Sequence, residues 1–271
     1  MQRNEQQWAD LCCRVRCLVP RELGENAWYL IITAALGVCP MPSATAAFYT
    51  YLTKHVSEFS SENSKEHLSK RLRDVILKLL TIVGGPQVLS VLIPLAAAEG
   101  DIKSKAASSM LNKKWASDRI NVQDIYDRGQ TTINTIYGGR LLEKVFESFG
   151  SHKEDVKFQE IFTLYGLYLS DFEILTPIET EAVVYASISC LGLEVPGKWH
   201  LRGMGRLMGA RGTYNDSEEM SKIVGQLIDL KQAVESVVGF VGDDFEARAR
   251  PGEWATPAAV MKDLGGWGID D

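Results

Sequence analysis

Glu181 and His200 are the residues of this chain whose types and spacing best suit proton transfer. Thr176, Pro177 and Glu179 form a capping box with proline in the first turn, so a helix begins here and the Glu179 carboxylate is accounted for by the cap. Glu181 is not needed for that cap, and it opens a run from Ala182 to Leu193 without a single charge, which sets its carboxyl in an apolar layer. Pro196-Gly197 is read as a break, followed by a second helix on which His200, Gly203, Met204, Leu207 and Met208 recur at helical spacing and place the imidazole inward. A carboxyl and an imidazole in one apolar pocket shift each other's pKa and suit general acid–base chemistry. Each also has an ordinary account: an inward histidine is commonly a satisfied core residue, and a first-turn glutamate favours the helix dipole. Lys198, Arg202 and Arg206 fall on another stripe, expected at solvent or at a subunit contact.

Around this pair, Tyr185 and Ser189 lie one and two turns beyond Glu181, and with Cys190, Trp199 and Met204 they make the candidate substrate-binding set. The two hydroxyls could equally bond to their own helix, and Trp199 could equally sit at an interface. Cys12, Cys13, Cys17, Cys39 and Cys190 form an odd set, and with four histidines and no matching second half they do not make a zinc site. Reduced thiols, no metal and no cofactor are expected.

From about Asp124 to Gly242 the sequence resembles the carboxymuconolactone decarboxylase and alkylhydroperoxidase-D-like family. The likeness runs through Tyr126-Asp127-Arg128-Gly129 and an amphipathic helix carrying Leu141, Leu142, Val145 and Phe146, then Phe158 to Gly166. It continues through Leu175 to Glu181, Leu191-Gly192-Leu193, Trp199 to Gly203, Gly209-Ala210 and Glu218-Glu219. The resemblance implies a small all-helical fold that assembles as rings, with Glu181 and His200 similar in place to the family's glutamate and distal histidine. Peroxidase members carry a Cys-x-x-Cys where this chain has Leu193-Glu194-Val195-Pro196, so the redox-inactive, decarboxylase-like branch is expected. An insertion from Gly212 to Asp216 alters the mouth of the expected pocket.

A diverged repeat supports this organisation. Glu25 to Ile32, with Ala35-Leu36-Gly37 and Pro42, echoes Glu179 to Val184 with Cys190-Leu191-Gly192 and Pro196. Laid in register on the prolines, the first copy has Ala27 opposite Glu181 and Ala46 opposite His200, so it reads as a structural copy without the polar pair. Helical periodicity over Trp28–Val38, Ala44–Phe59, Leu68–Val83, Gln87–Ala98, Thr131–Phe149, Asp155–Leu169 and Met220–Val241 makes the fold class all-α, a helical bundle of two diverged repeats. The expected divisions are a degenerate repeat over 1–100, a polar connector over 101–123, the site-bearing domain over 124–242 and a tail over 243–271. Trp254 and Trp267 in that tail are expected to wrap it over a neighbouring surface.

A net charge of −6 and a pI near 5.4 disfavour nucleic acid as a partner. No stretch reads as a membrane span or a signal peptide, so a cytoplasmic location is expected, with a mitochondrial one left open. The expected partners are a small-molecule substrate and further copies of the chain, as a trimer of two-repeat chains or a dimer, because Val88 to Ala98 is apolar on most faces. The leading functional expectation is a cofactor-independent decarboxylase, isomerase or cyclase acting on a small carboxylated or carbonyl compound. In it Glu181 transfers the proton and His200 orients the substrate or stabilises charge, the reverse assignment staying open. A thiol peroxidase built on Cys190 and a catalytically inactive assembly scaffold are the alternatives.

Overall fold

The computed structural model describes residues 3–100, 120–214 and 216–268, and these contain α-helices, short 3₁₀ turns and two π-helical segments, with no strand among them. In chain order the α-helices are α1 (Glu5–Leu18), α2 (Ala27–Val38), α3 (Ala44–His55), α4 (Glu62–Lys78) and α5 (Leu80–Glu99), then α6 (Val122–Tyr137), α7 (Gly139–Glu147) and α8 (Lys153–Phe158). A π-helical segment, Gln159–Leu169, leads to α9 (Pro177–Cys190) and α10 (Glu194–Gly205); a second, Arg206–Ala210, precedes α11 (Glu218–Val241), α12 (Asp243–Ala249) and α13 (Pro257–Leu264).

Local chemistry explains the boundaries. Thr176 and Glu179 exchange the two capping-box hydrogen bonds at the start of α9, and Asn4 and Gln7 do the same for α1. Gly138, at φ 74°, separates α6 from α7 where helical periodicity ran unbroken from Thr131 to Phe149. Pro196 does not separate two helices: α10 begins two residues before it, since the first turn needs no N–H from its third residue.

Every residue of α2 is buried, as is α9 from Glu179 to Cys190, and the two helices pack against each other at the centre. Around them a single hydrophobic core draws on both halves of the chain, from Trp8 in α1 to Trp267 near the end. Residues of the stretch expected as the degenerate first repeat and of the site-bearing stretch both contribute to this core. Arg71 of α4 reaches across to Glu179 at 2.5 Å, in a buried ion pair that joins the halves. A second, smaller cluster joins Ile133, Ile136 and Tyr137 of α6 to Tyr165 and to Val184 and Ile188 of α9. The expected connector at 101–123 lies outside the described residues up to 119, and Val122 and Gln123 already belong to α6, capped by the Asn121 side chain.

The tail folds back on its own chain. Trp267 packs on Gly205, and Trp254 donates its indole N–H to Ala249 O at 2.6 Å. This overturns the expectation for Arg202 and Arg206: both are buried beneath the tail, Arg202 donating to Gly266 O and Tyr137 O, and Arg206 to Thr135 O and Trp267 O. Lys198 is likewise tied down, to Glu194 and Asp263.

The reading that no stretch could span a membrane is also corrected. Leu80–Glu99 is long and apolar enough by length and composition, with a mean hydropathy of 1.7 and 17% of it buried. Gly84, at φ 74°, interrupts that helix near its start, and Pro86 and Pro94 lie within the part that follows.

Candidate functional site

Glu179 and Glu181 lie two residues apart on α9 and so point to different sides. The Glu179 carboxylate accepts from the Thr176 N–H at 2.9 Å and pairs with Arg71, which is a structural role. Glu181, only 1% exposed, turns instead towards α10, where its Oε1 lies 2.9 Å from Nδ1 of His200, itself 5% exposed.

Gly203 makes this approach possible. It follows His200 by three residues on the same face of α10, and a Cβ there would stand 2.6 Å from Glu181 Oε1 and 2.5 Å from Ile136 Cγ2. The carboxyl occupies the space that a side chain would take.

On its far side, His200 Nε2 lies 3.4 Å from the Tyr137 hydroxyl at the end of α6, and the two rings meet edge to face. Burial pushes the Tyr137 phenol well above its usual range, which keeps it a neutral hydroxyl. Burial also raises the carboxyl of Glu160, on the first π-helical segment, and the proximity of His200 opposes that rise. Glu160, Tyr137 and Tyr165 were missed in the sequence, where they read as parts of amphipathic helices. An aromatic Tyr137 directly before Gly138-Gly139 was the only available signal.

Beside Glu181 lies a cavity of about 160 Å³, walled by Glu181, Thr180, Tyr165, Leu169, Val184 and Leu207. Thr131, Thr135 and Pro177 are exposed and form its mouth. Both π-helical segments contribute to the wall, Tyr165 and Leu169 from one and Leu207 from the other. The wider π turn shifts side chains out of α-helical register, and such segments recur at functional sites. The Thr180 hydroxyl is buried without a hydrogen-bond partner, and the Tyr165 hydroxyl, also buried, has the Tyr137 phenol as its neighbour for a side-chain hydrogen bond.

The cavity assigns the sequence candidates to different places. On α9 it follows Pro177, Thr180, Glu181 and Val184, spaced as one helical stripe. Tyr185, Ser189 and Cys190 belong to the neighbouring stripes and do not line it; they pack into the central core near Cys39, Glu235 and Arg248. Because α9 is buried all round, hydrophobicity could not mark which stripe faces the hollow. Met204 is fully buried in the main core, and the half-buried Trp199 leans on Tyr137 with ring centroids 6.0 Å apart; neither meets the cavity. His200 is also absent from the wall and stands behind Glu181. The Cys190 thiol is raised strongly by burial, with Cys39 near enough to add to the rise, and Cys12 is pushed up to about 12. Among the described residues no three His, Cys, Asp or Glu side chains converge as metal ligands. Comparison with family models, with curated proteins and with solved structures finds no match to this chain.

Proposed function

We propose that this chain is a cofactor-independent enzyme of the carboxymuconolactone decarboxylase-like kind, moving a proton on a small carbonyl or carboxylated substrate held beside Glu181. The observation that carries the reading is the 2.9 Å contact between two buried titratable groups, one of which walls a cavity. Buried acid–imidazole pairs in clefts are where proton-transfer groups concentrate.

Glu181 is the group that meets the substrate. In an isomerisation or cyclisation it takes a proton from the carbon next to the carbonyl, the C–H electron pair moves into the enolate, and the proton is returned at another position. In a decarboxylation the C–C bond to the carboxylate breaks, carbon dioxide leaves, and the same acid delivers a proton to the enolate carbon. His200 is a positioning residue: its Nδ1 fixes the orientation of the carboxyl, and Tyr137 on Nε2 fixes the ring. Gly129 and Gly166, within the segments that carry the family likeness, meet where α6 crosses the first π-helical segment, which gives those glycines a physical purpose. The mutual burial of α2 and α9 suits a two-repeat origin in which only the second copy kept its polar pair. The exposed Leu89 (60%) and Ile93 (71%) of α5 support self-association of the chain.

The peroxidase reading needs a thiolate, and burial holds Cys39 and Cys190 as thiols. The scaffold reading leaves the cavity and the unbonded Thr180 hydroxyl in its wall without a purpose. The test is proton exchange in D₂O, followed by NMR over a panel of cyclic enones, β-keto acids and unsaturated lactones. Glu181→Gln is expected to abolish the exchange and His200→Gln to slow it about 10²–10⁴-fold, both with the cooperative thermal transition retained. Exchange that persists in Glu181→Gln removes the proposal.

A further inference from the structure

The wall of the cavity also speaks to the charge of what enters it. None of the described residues that line it carries a positive charge, and its single carboxyl is that of Glu181. Arg206, adjacent in sequence to the lining residue Leu207, turns its guanidinium to the backbone carbonyls of Thr135 and Trp267. A carboxylate brought in would lose its water, gain no cation and meet another acid, an arrangement that proteins avoid or neutralise. The remaining polar groups suit a neutral oxygen: the Thr180 hydroxyl is buried and completes no hydrogen bond, and the buried Tyr165 hydroxyl has the Tyr137 phenol beside it. Each can donate to a carbonyl oxygen, and a buried donor left without a partner points to a ligand that supplies one. The volume sets the size, since an apolar cavity of about 150 Å³ takes one benzene-sized ring.

We infer that the cavity binds an uncharged carbonyl compound of about one six-membered ring, its oxygen held by Tyr165 and Thr180 and its adjacent C–H facing Glu181. This narrows the substrate class of the proposed proton transfer and rests on that reading for its chemistry, but its binding statement stands separately. In the reaction, the C–H pair that Glu181 releases becomes the C=C of an enolate, and the negative charge gathers on the oxygen that the two hydroxyls hold. That is the oxyanion-stabilising role of preorganised donors in a water-poor site.

The experiment titrates the full chain, by NMR, with cyclohex-2-en-1-one, with its carboxylated counterpart 3-oxocyclohex-1-ene-1-carboxylate, and with cyclohexene. The neutral enone is expected to bind at least about tenfold more tightly than the carboxylate, given the cost of burying an unpaired charge. Tyr165→Phe and Thr180→Val are each expected to weaken the enone about five- to tenfold, the worth of one hydrogen bond, and to leave cyclohexene binding unchanged. The wild-type comparison of the three probes holds even if a variant fails to fold. Equal or tighter binding of the carboxylate, or no binding of the enone, overturns the inference whatever the exchange assay gives. Enone binding without Glu181-dependent exchange of its ring hydrogens sinks the proton-transfer proposal and leaves this one standing.

Discussion

At the scale of single residues, the space above Gly203 decides how Glu181 stands. Gly203→Ala would drive a methyl group into the Glu181 carboxyl and into Ile136. The expected result is a loss of about 1–3 kcal/mol in denaturant unfolding, the usual cost of overpacking, together with a fall in exchange rate of about 100-fold as the acid is displaced. A rate equal to wild type would mean that the position of the carboxyl does not matter. Glu160 gives a pH test. Its folded-state pKa is raised by burial, so the native state holds this proton more tightly than the unfolded chain does, and stability falls as pH rises through the interval between the two values. Glu160→Gln removes that penalty. Urea unfolding should show the variant equal to wild type at pH 3.5 and more stable at pH 8; a difference of the opposite sign at pH 8 contradicts the burial account.

At the scale of elements, the geometry of the cavity depends on how closely α6 meets the first π-helical segment. A Cβ on Gly129 would lie 2.1 Å from Ile161 O and 2.8 Å from the Gly166 N, both of them backbone atoms, and Arg128 Nε donates to Gly166 O at 2.7 Å beside that crossing. Since backbone cannot rotate away as a side chain can, Gly129→Ala should cost about 3 kcal/mol in thermal or denaturant unfolding. It should also change enone affinity, because Tyr165 and Leu169 ride on the displaced segment. A variant of unchanged stability would show that the two elements are not held in this contact.

At the scale of the molecule, the tail closes the structure. Trp267, only 2% exposed, fills the gap over Gly205, and its carbonyl accepts from Arg206. Trp267→Ala should therefore cost about 3–5 kcal/mol in calorimetry through lost burial and a new cavity, and a change below 1 kcal/mol would show that the tail is not docked. The apolar face of α5 belongs to the same scale. If Leu89 and Ile93 are covered by a second copy, light scattering at micromolar concentration should give an oligomer that Ile93→Glu converts to a monomer. A monomeric wild-type chain removes that expectation.

Read alone, the sequence determined the helical class, the capping box at Thr176, the burial of the run after Glu181 as far as Cys190, and the choice of Glu181 and His200 as the pair to watch. All of these follow from local rules, namely periodicity, capping chemistry and the absence of charge, which act within one or two turns of the chain. Tertiary structure decided which stripe of α9 faces the cavity, because a helix buried on every side carries no periodic signal to choose between Glu181-Val184 and Tyr185-Ser189. It brought in Tyr137, Glu160 and Tyr165 from segments far along the chain, and it buried Arg202 and Arg206 beneath a tail some 60 residues later. It also packed residues from both halves of the chain into one main core, with a smaller cluster beside it. Those outcomes rest on contacts between distant segments, and no local propensity encodes which surfaces will meet.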